Sequence, residues 1–178
     1  MYLGKREYIS CDGKIDAITG VANVPEIDEK LRGKYVFASL VCSFRHGREE
    51  DEMMGVSFNK ELVVDRVQLW PNNENSVKQS GLQERLVQKL GMLTARPFAL
   101  HFPPTAPNSV IIRGDEGDNA TMGVSYEVRV HIGDRADDHM GQKKSTVSMS
   151  IRKVIEISFG GALIQALFLN TPTKIKYY

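Results

Sequence analysis

Apolar residues recur at every second position over much of this chain. Val124, Tyr126, Val128, Val130 and Ile132 alternate with Ser125, Glu127, Arg129 and His131. That spacing belongs to a β-strand with one apolar and one polar face. Val147, Met149 and Ile151 alternate with Ser148, Ser150 and Arg152 in the same way. Tyr35 to Phe44 and Leu62 to Trp70 are rich in β-branched and aromatic residues and read as further strands. Turn-forming runs lie between: Pro71-Asn-Asn-Glu-Asn-Ser, Pro103-Pro-Thr-Ala-Pro-Asn and Gly114-Asp-Glu-Gly-Asp-Asn. Short strands punctuated in this way predict an all-β fold, an antiparallel sandwich.

One segment departs from the period of two. Ser80-Gly-Leu-Gln83 has the form of a capping box, in which the serine hydroxyl and the glutamine amide satisfy free backbone amides at a helix start. Leu82, Leu86 and Leu90 then recur every four residues as one apolar stripe, and Gly91 is a suitable stop. A helix this short is not stable alone, so its stripe is expected to lie on a sheet.

Composition narrows the function. The 178 residues suffice for one sizeable core. A formal net charge of +1 gives no overall pull towards nucleic acid or an acidic membrane. An anion site must come from local clustering, and basic residues gather at Lys5-Arg6, at Lys89 and at Lys143-Lys144. Ile155 to Leu169 is too short to span a bilayer, and Glu156, Ser158 and Gln165 interrupt it. The opening Met1-Tyr-Leu-Gly runs directly into Lys5-Arg6-Glu7, unlike a secretory signal. Cys11 and Cys42 therefore read as buried free thiols of a reducing cytosol, with a single disulfide as the alternative.

Catalytic chemistry is not evident. His46, His101, His131 and His139 have no metal-binding spacing. There is no nucleophile elbow, P-loop or dinucleotide fingerprint. Asp115, Glu116 and Asp118 do not follow the spacing of a calcium loop and read as an acidic surface turn. No catalytic residue, metal or cofactor is expected. Gly47-Arg-Glu-Glu-Asp-Glu52 reads as a charged hairpin tip, and Met53 and Met54 beside it would suit an adaptable contact surface.

Four blocks, in order, carry a family resemblance. Tyr2-Leu-Gly-Lys-Arg-Glu-Tyr8 resembles a strand near the start of arrestins. Val41-Cys-Ser-Phe-Arg-His-Gly-Arg-Glu-Glu-Asp-Glu-Met-Met-Gly55 resembles the strand and finger loop that follow, and its wording looks closest to insect visual arrestins. Leu82-Gln-Glu-Arg-Leu-Val-Gln-Lys-Leu-Gly91 resembles the family's single helix, and Ser145-Thr-Val-Ser-Met-Ser-Ile-Arg-Lys153 its last strand before the interdomain hinge. The resemblance implies an immunoglobulin-like sandwich with one short amphipathic helix over residues 1–154. It also implies a non-catalytic module that binds activated, phosphorylated G-protein-coupled receptors, with rhodopsin a candidate. Such a module serves desensitisation and internalisation from the cytoplasm, reaching the membrane through the receptor, with endocytic proteins as further candidate partners. No nucleic acid and no stable membrane insertion are implied.

The resemblance also assigns residues. Arg6, Lys89 and Lys5 would meet receptor phosphates, Arg6 through a bidentate guanidinium. Arg48, Glu49, Glu50, Asp51, Glu52, Met53 and Met54 would form the finger loop that enters the receptor. Glu7 and Arg152 match the buried polar core, a charge network that phosphate disrupts. Leu82, Leu86 and Leu90 would form the helix face. Two departures are expected to matter. The family's first strand, with its paired lysines, would precede Met1, and residues 155–178 resemble nothing in the family. A chain so arranged would bind phosphate weakly and with little selectivity. A trafficking adaptor built on the same sandwich, or an inactive fragment, is the alternative.

Overall fold

The computed structural model describes residues 1–10, 15–24, 33–46, 58–71, 79–91, 94–113, 121–136, 142–159 and 162–167. Two sheets carry the fold. The smaller joins β1 (Tyr2–Leu3), β3 (Ile18–Asn23) and β6 (Ala95–Leu100) in the order β1-β3-β6, all antiparallel. The larger runs β10-β9-β8-β4-β5, with β4 at Tyr35–His46, β5 at Phe58–Trp70, β8 at Thr121–Gly133, β9 at Gln142–Phe159 and β10 at Ala162–Leu167. Two short strands join it: β2 (Glu7–Ser10) pairs with β9 and β7 (Val110–Arg113) with β8. The β2–β9 ladder is parallel and the others are antiparallel. This is the all-β sandwich that the alternation implied.

The core lies between the sheets. Ile18, Ala22, Phe98 and Leu100 of the small sheet meet Val36, Ala38, Leu40, Tyr126, Val128 and Val130 of the large one. Tyr8 and Tyr126 flank Phe102, with ring centroids 5.4 Å and 5.5 Å from it. Each phenol keeps a partner, as buried hydroxyls must. Tyr8 donates to the Lys5 carbonyl at 3.2 Å and Tyr126 to the Pro107 carbonyl at 2.9 Å. Burial, helped by Asp16, pushes the Tyr8 phenol up to about 12. Burial, and then Cys42, also raises that of Tyr126. Cys42 is a free thiol and only half-buried, and Cys11 lies outside the described residues.

The helix α1 (Gly81–Leu90) covers the small sheet's other side, where Val87, Val21 and Ala95 form a second apolar cluster. The capping box is present: Gln83 N–H donates to Ser80 Oγ, and Ser80 N–H donates to Gln83 Oε1 at 3.0 Å. Gly91 ends the helix at a φ of 95° that favours glycine. The buried line differs from the expected leucine stripe. Gln83 and Val87 occupy it, Leu86 and Leu90 pack half-buried beside it, and Leu82 is 48% exposed. The cause is Gln83, whose amide Nε2 donates to the carbonyls of Gly20 at 2.9 Å and Phe98 at 3.0 Å. Those two bonds cross from helix to sheet and turn the helix one position away from Leu82. Gly20 permits close approach within the small sheet itself, because an added Cβ would lie 2.5 Å from the Phe98 ring of β6 and 2.8 Å from the Tyr2 carbonyl oxygen of β1.

The tail beyond Val154 joins the large sheet. β9 runs unbroken through that position to Phe159, and β10 pairs back from Ala162↔Phe159 to Leu167↔Val154.

Candidate functional site

The basic residues near the start stand where the chain changes sheets. β1 belongs to the small sheet and β2 to the large one, so Gly4, Lys5 and Arg6 cross between the layers at the sandwich edge. Gly4 N–H donates to the Thr19 carbonyl at 2.9 Å, which anchors the crossing. Arg6 is exposed there. Lys5 is already engaged: its ammonium meets Asp16 at 2.5 Å and lies 4.9 Å from the Tyr8 ring centroid. Both partners of that ion pair are well exposed, so it adds little stability. Asp16 does compete with any phosphate that Lys5 would bind.

Helix α1 supplies the second part. Lys89 is exposed in its last turn, where a cation suits the helix dipole. Arg85 is also exposed and stands one turn before Lys89. Two like charges at this spacing repel mildly, and an anion between them would relieve the repulsion. Arg85 was missed in the sequence, although the interval of four residues was readable. The helix start adjoins the crossing, since an added Cβ at Gly4 would lie 3.4 Å from Leu82 Cδ2. Exposed Leu82 therefore links the Arg6 segment to the helix.

The polar-core pair is brought onto neighbouring strands. Ile9 lies opposite Arg152 in the β2–β9 ladder, and Glu7 lies opposite Ser150. Glu7 itself is exposed. Strand alternation explains this, because Tyr8 takes the inward position and Glu7 and Ile9 turn outward. The finger-loop residues Arg48, Glu49, Glu50, Asp51, Glu52, Met53 and Met54 lie outside the described residues. The strands that lead to them are described: β4 and β5 pair as far as His46↔Phe58.

A charged cluster not anticipated as a unit lies on the polar face of β8. Arg129 and His131 were expected on that face, and both are buried there, at 8% and 4% exposure. Arg129 is held bidentately by Glu61, Nη1 to Oε2 at 2.6 Å and Nη2 to Oε1 at 2.5 Å, and also donates to Glu127. Hydrogen bonding to Glu61, the largest influence, keeps the guanidinium more firmly protonated. Among the described residues, no group of three or more His, Cys, Asp or Glu side chains could hold a metal ion. No helix there is long and apolar enough to cross a membrane.

Comparison with known proteins bears on this arrangement. The family model for the Arrestin (or S-antigen), N-terminal domain, matches residues 1–156. Phosrestin-1 of Drosophila melanogaster is 41% identical over 154 residues, covering 86% of this chain and 37% of that protein. An arrestin homolog of Heliothis virescens is 43% identical over 156 residues, covering 86% and 40%. The lateral-eye arrestin of Limulus polyphemus is 39% identical over 155 residues, covering 86% and 38%. The match thus spans about two fifths of the length of these curated relatives.

Proposed function

The chain belongs to the arrestin family through its amino-terminal domain, and from that premise we propose that it binds activated, phosphorylated G-protein-coupled receptors of the rhodopsin type. Binding blocks further signalling and requires no catalysis by this chain. Receptor recruitment brings it from the cytoplasm to the membrane, and internalisation follows through trafficking partners. Arg6 and Lys89 meet receptor phosphates, joined by Arg85 and, once released from Asp16, by Lys5. Residues 48–54 enter the receptor, and Glu7 and Arg152 sense the bound phosphate. Residues 1–154 act as the receptor-binding domain, with 155–178 as an appended tail.

The observation that carries this reading is the placement of exposed Arg6 at the crossing between sheets, tied through Gly4 and Leu82 to the helix that bears exposed Arg85 and Lys89. Exposed cations on a rigid frame suit phosphate, which takes charge-assisted bonds from arginine and a point charge from lysine. The test is titration of the full chain with a multiply phosphorylated rhodopsin-tail peptide and its unphosphorylated form. Arg6→Gln is expected to weaken binding of the phosphorylated peptide on the order of tenfold. No measurable binding of the phosphorylated peptide, or no effect of Arg6→Gln, would overturn the reading.

A further inference from the structure

We propose that Glu61, Arg129 and Glu127 are positioning residues that aim the β4–β5 ribbon, and so set how its exposed apolar side, Phe44, Phe58 and Leu62, meets the receptor. The proposal rests on the receptor-binding reading above. The ribbon has a mechanical weakness. β5 ends the order of the large sheet, and among the described residues no strand pairs with its outer edge. Its far end, around Phe58 to Glu61, is held by the ladder to β4, and β8 accompanies β4 only as far as Arg45↔Gly123.

Arg129 reaches this end from the third strand. It lies opposite Ser39 on β4, whereas Glu61 lies opposite Ser43. The guanidinium therefore bridges diagonally over β4, near Val41, which faces Glu127 on one side and Val63 on the other. A bidentate fork fixes the plane and direction of both side chains, as a single point contact would not. The side chains are 10% exposed for Arg129, 25% for Glu61 and 20% for Glu127, unlike a loose surface pair. Glu127 holds the guanidinium from its own strand and limits its swing.

The ribbon's opposite face shows why direction matters. Phe44, Phe58 and Leu62 are 46%, 51% and 62% exposed, and the two rings stand 6.1 Å apart. Apolar side chains left in water tend to collapse onto whatever is near. A clamp on the polar face keeps the strand ends straight and this apolar side presented outward.

Glu61→Gln removes the charge at nearly constant size, and Arg129→Lys keeps the charge but loses the fork. In the full chain, both are expected to speed hydrogen exchange at Ser43–His46 and Phe58–Leu62 on the order of tenfold, with β3 and β6 unchanged. Affinity for light-activated, phosphorylated rhodopsin in membranes is expected to fall on the order of tenfold, while that for the free phosphorylated tail peptide stays constant. Combining Glu61→Arg with Arg129→Glu is expected to restore both readouts in part. Unchanged exchange, or exchange raised throughout the fold, would overturn the clamp. Faster local exchange with unaltered rhodopsin affinity would overturn its part in positioning. Should the unaltered chain bind neither rhodopsin nor peptide, the receptor reading fails, and with it the functional half of the proposal; the exchange data still decide the clamp.

Discussion

Gln83 and Arg129 are both polar side chains buried against a sheet, yet their surroundings differ in kind. Gln83, fully buried, spends its amide on backbone groups: the Ser80 N–H and the carbonyls of Gly20 and Phe98. No charge is involved, and helix and small sheet are locked at one register. Arg129 spends its guanidinium on carboxylates from its own strand and from β5, two strands away. The first arrangement is neutral and closed. The second leaves two acids around one cation, so losing the cation exposes a repulsion as well as a vacancy. A neutral lock suits a permanent frame, and a charged one suits a part that must keep its direction while meeting a partner.

That contrast can be broken experimentally. Arg129→Ala should have the largest effect, about 4 kcal/mol, because Glu61 and Glu127 would be left partly buried and uncompensated. Urea unfolding would measure it, and a loss of less than about 1 kcal/mol would mean that water already screens the cluster. Replacing all three residues with apolar ones of similar volume should cost far less than Arg129→Ala alone. Gln83→Ala comes next, at about 3 kcal/mol, since two sheet carbonyls and the helix cap lose their partner together. The same unfolding assay checks it, and a cost equal to that of Ser80→Ala would show that the sheet bonds contribute nothing. Ser80→Ala itself should cost about 1 kcal/mol, the usual worth of an N-cap.

The smallest effect at neutral pH concerns the core that both regions share. Tyr8 holds its proton up to about 12 in the folded chain, against an ordinary value of 10.0. The unfolded chain therefore loses that proton first as pH rises. The Tyr8 contribution to stability is complete below the ordinary value and fades as pH climbs towards 12. Tyr126 shifts in the same direction. Thermal melts should be flat through neutral pH and fall above about pH 10. Tyr8→Phe should lessen that fall, and an unchanged alkaline profile in this variant would remove Tyr8 from the account.

Local signals carried much of the fold into view, and distant pairings did not. The alternation from Val124 to Ile132 identified the inward face of β8, and Tyr126, Val128 and Val130 are indeed buried. The capping box at Ser80 was legible because its bonds span three residues. Gln83 has a second duty to Gly20, 63 residues away, and no spacing within the helix announces it. The leucine stripe was therefore displaced by one position. Likewise Arg129 read as one polar residue in an alternating run, while its partner Glu61 stands 68 residues distant. In the candidate site, Lys5 was readable as a cation, but its pairing with Asp16 arises only where the chain crosses between sheets. Glu7 was readable as an acid, but its exposure follows from Tyr8 facing the core.

The parallel ladder between β2 and β9 has a consequence for the order of assembly. β1 can pair with β3 as soon as both have left the ribosome. β2 must wait for Lys153, its last partner, so it closes a loop of about 140 residues, the slow and late kind of contact. Lys5 and Arg6 lie between these early and late pairings. Until β9 has been made, their segment is tethered at one end only. The face that would read phosphate thus acquires its geometry only when β9 arrives, so a chain made only as far as β8 cannot present it prematurely.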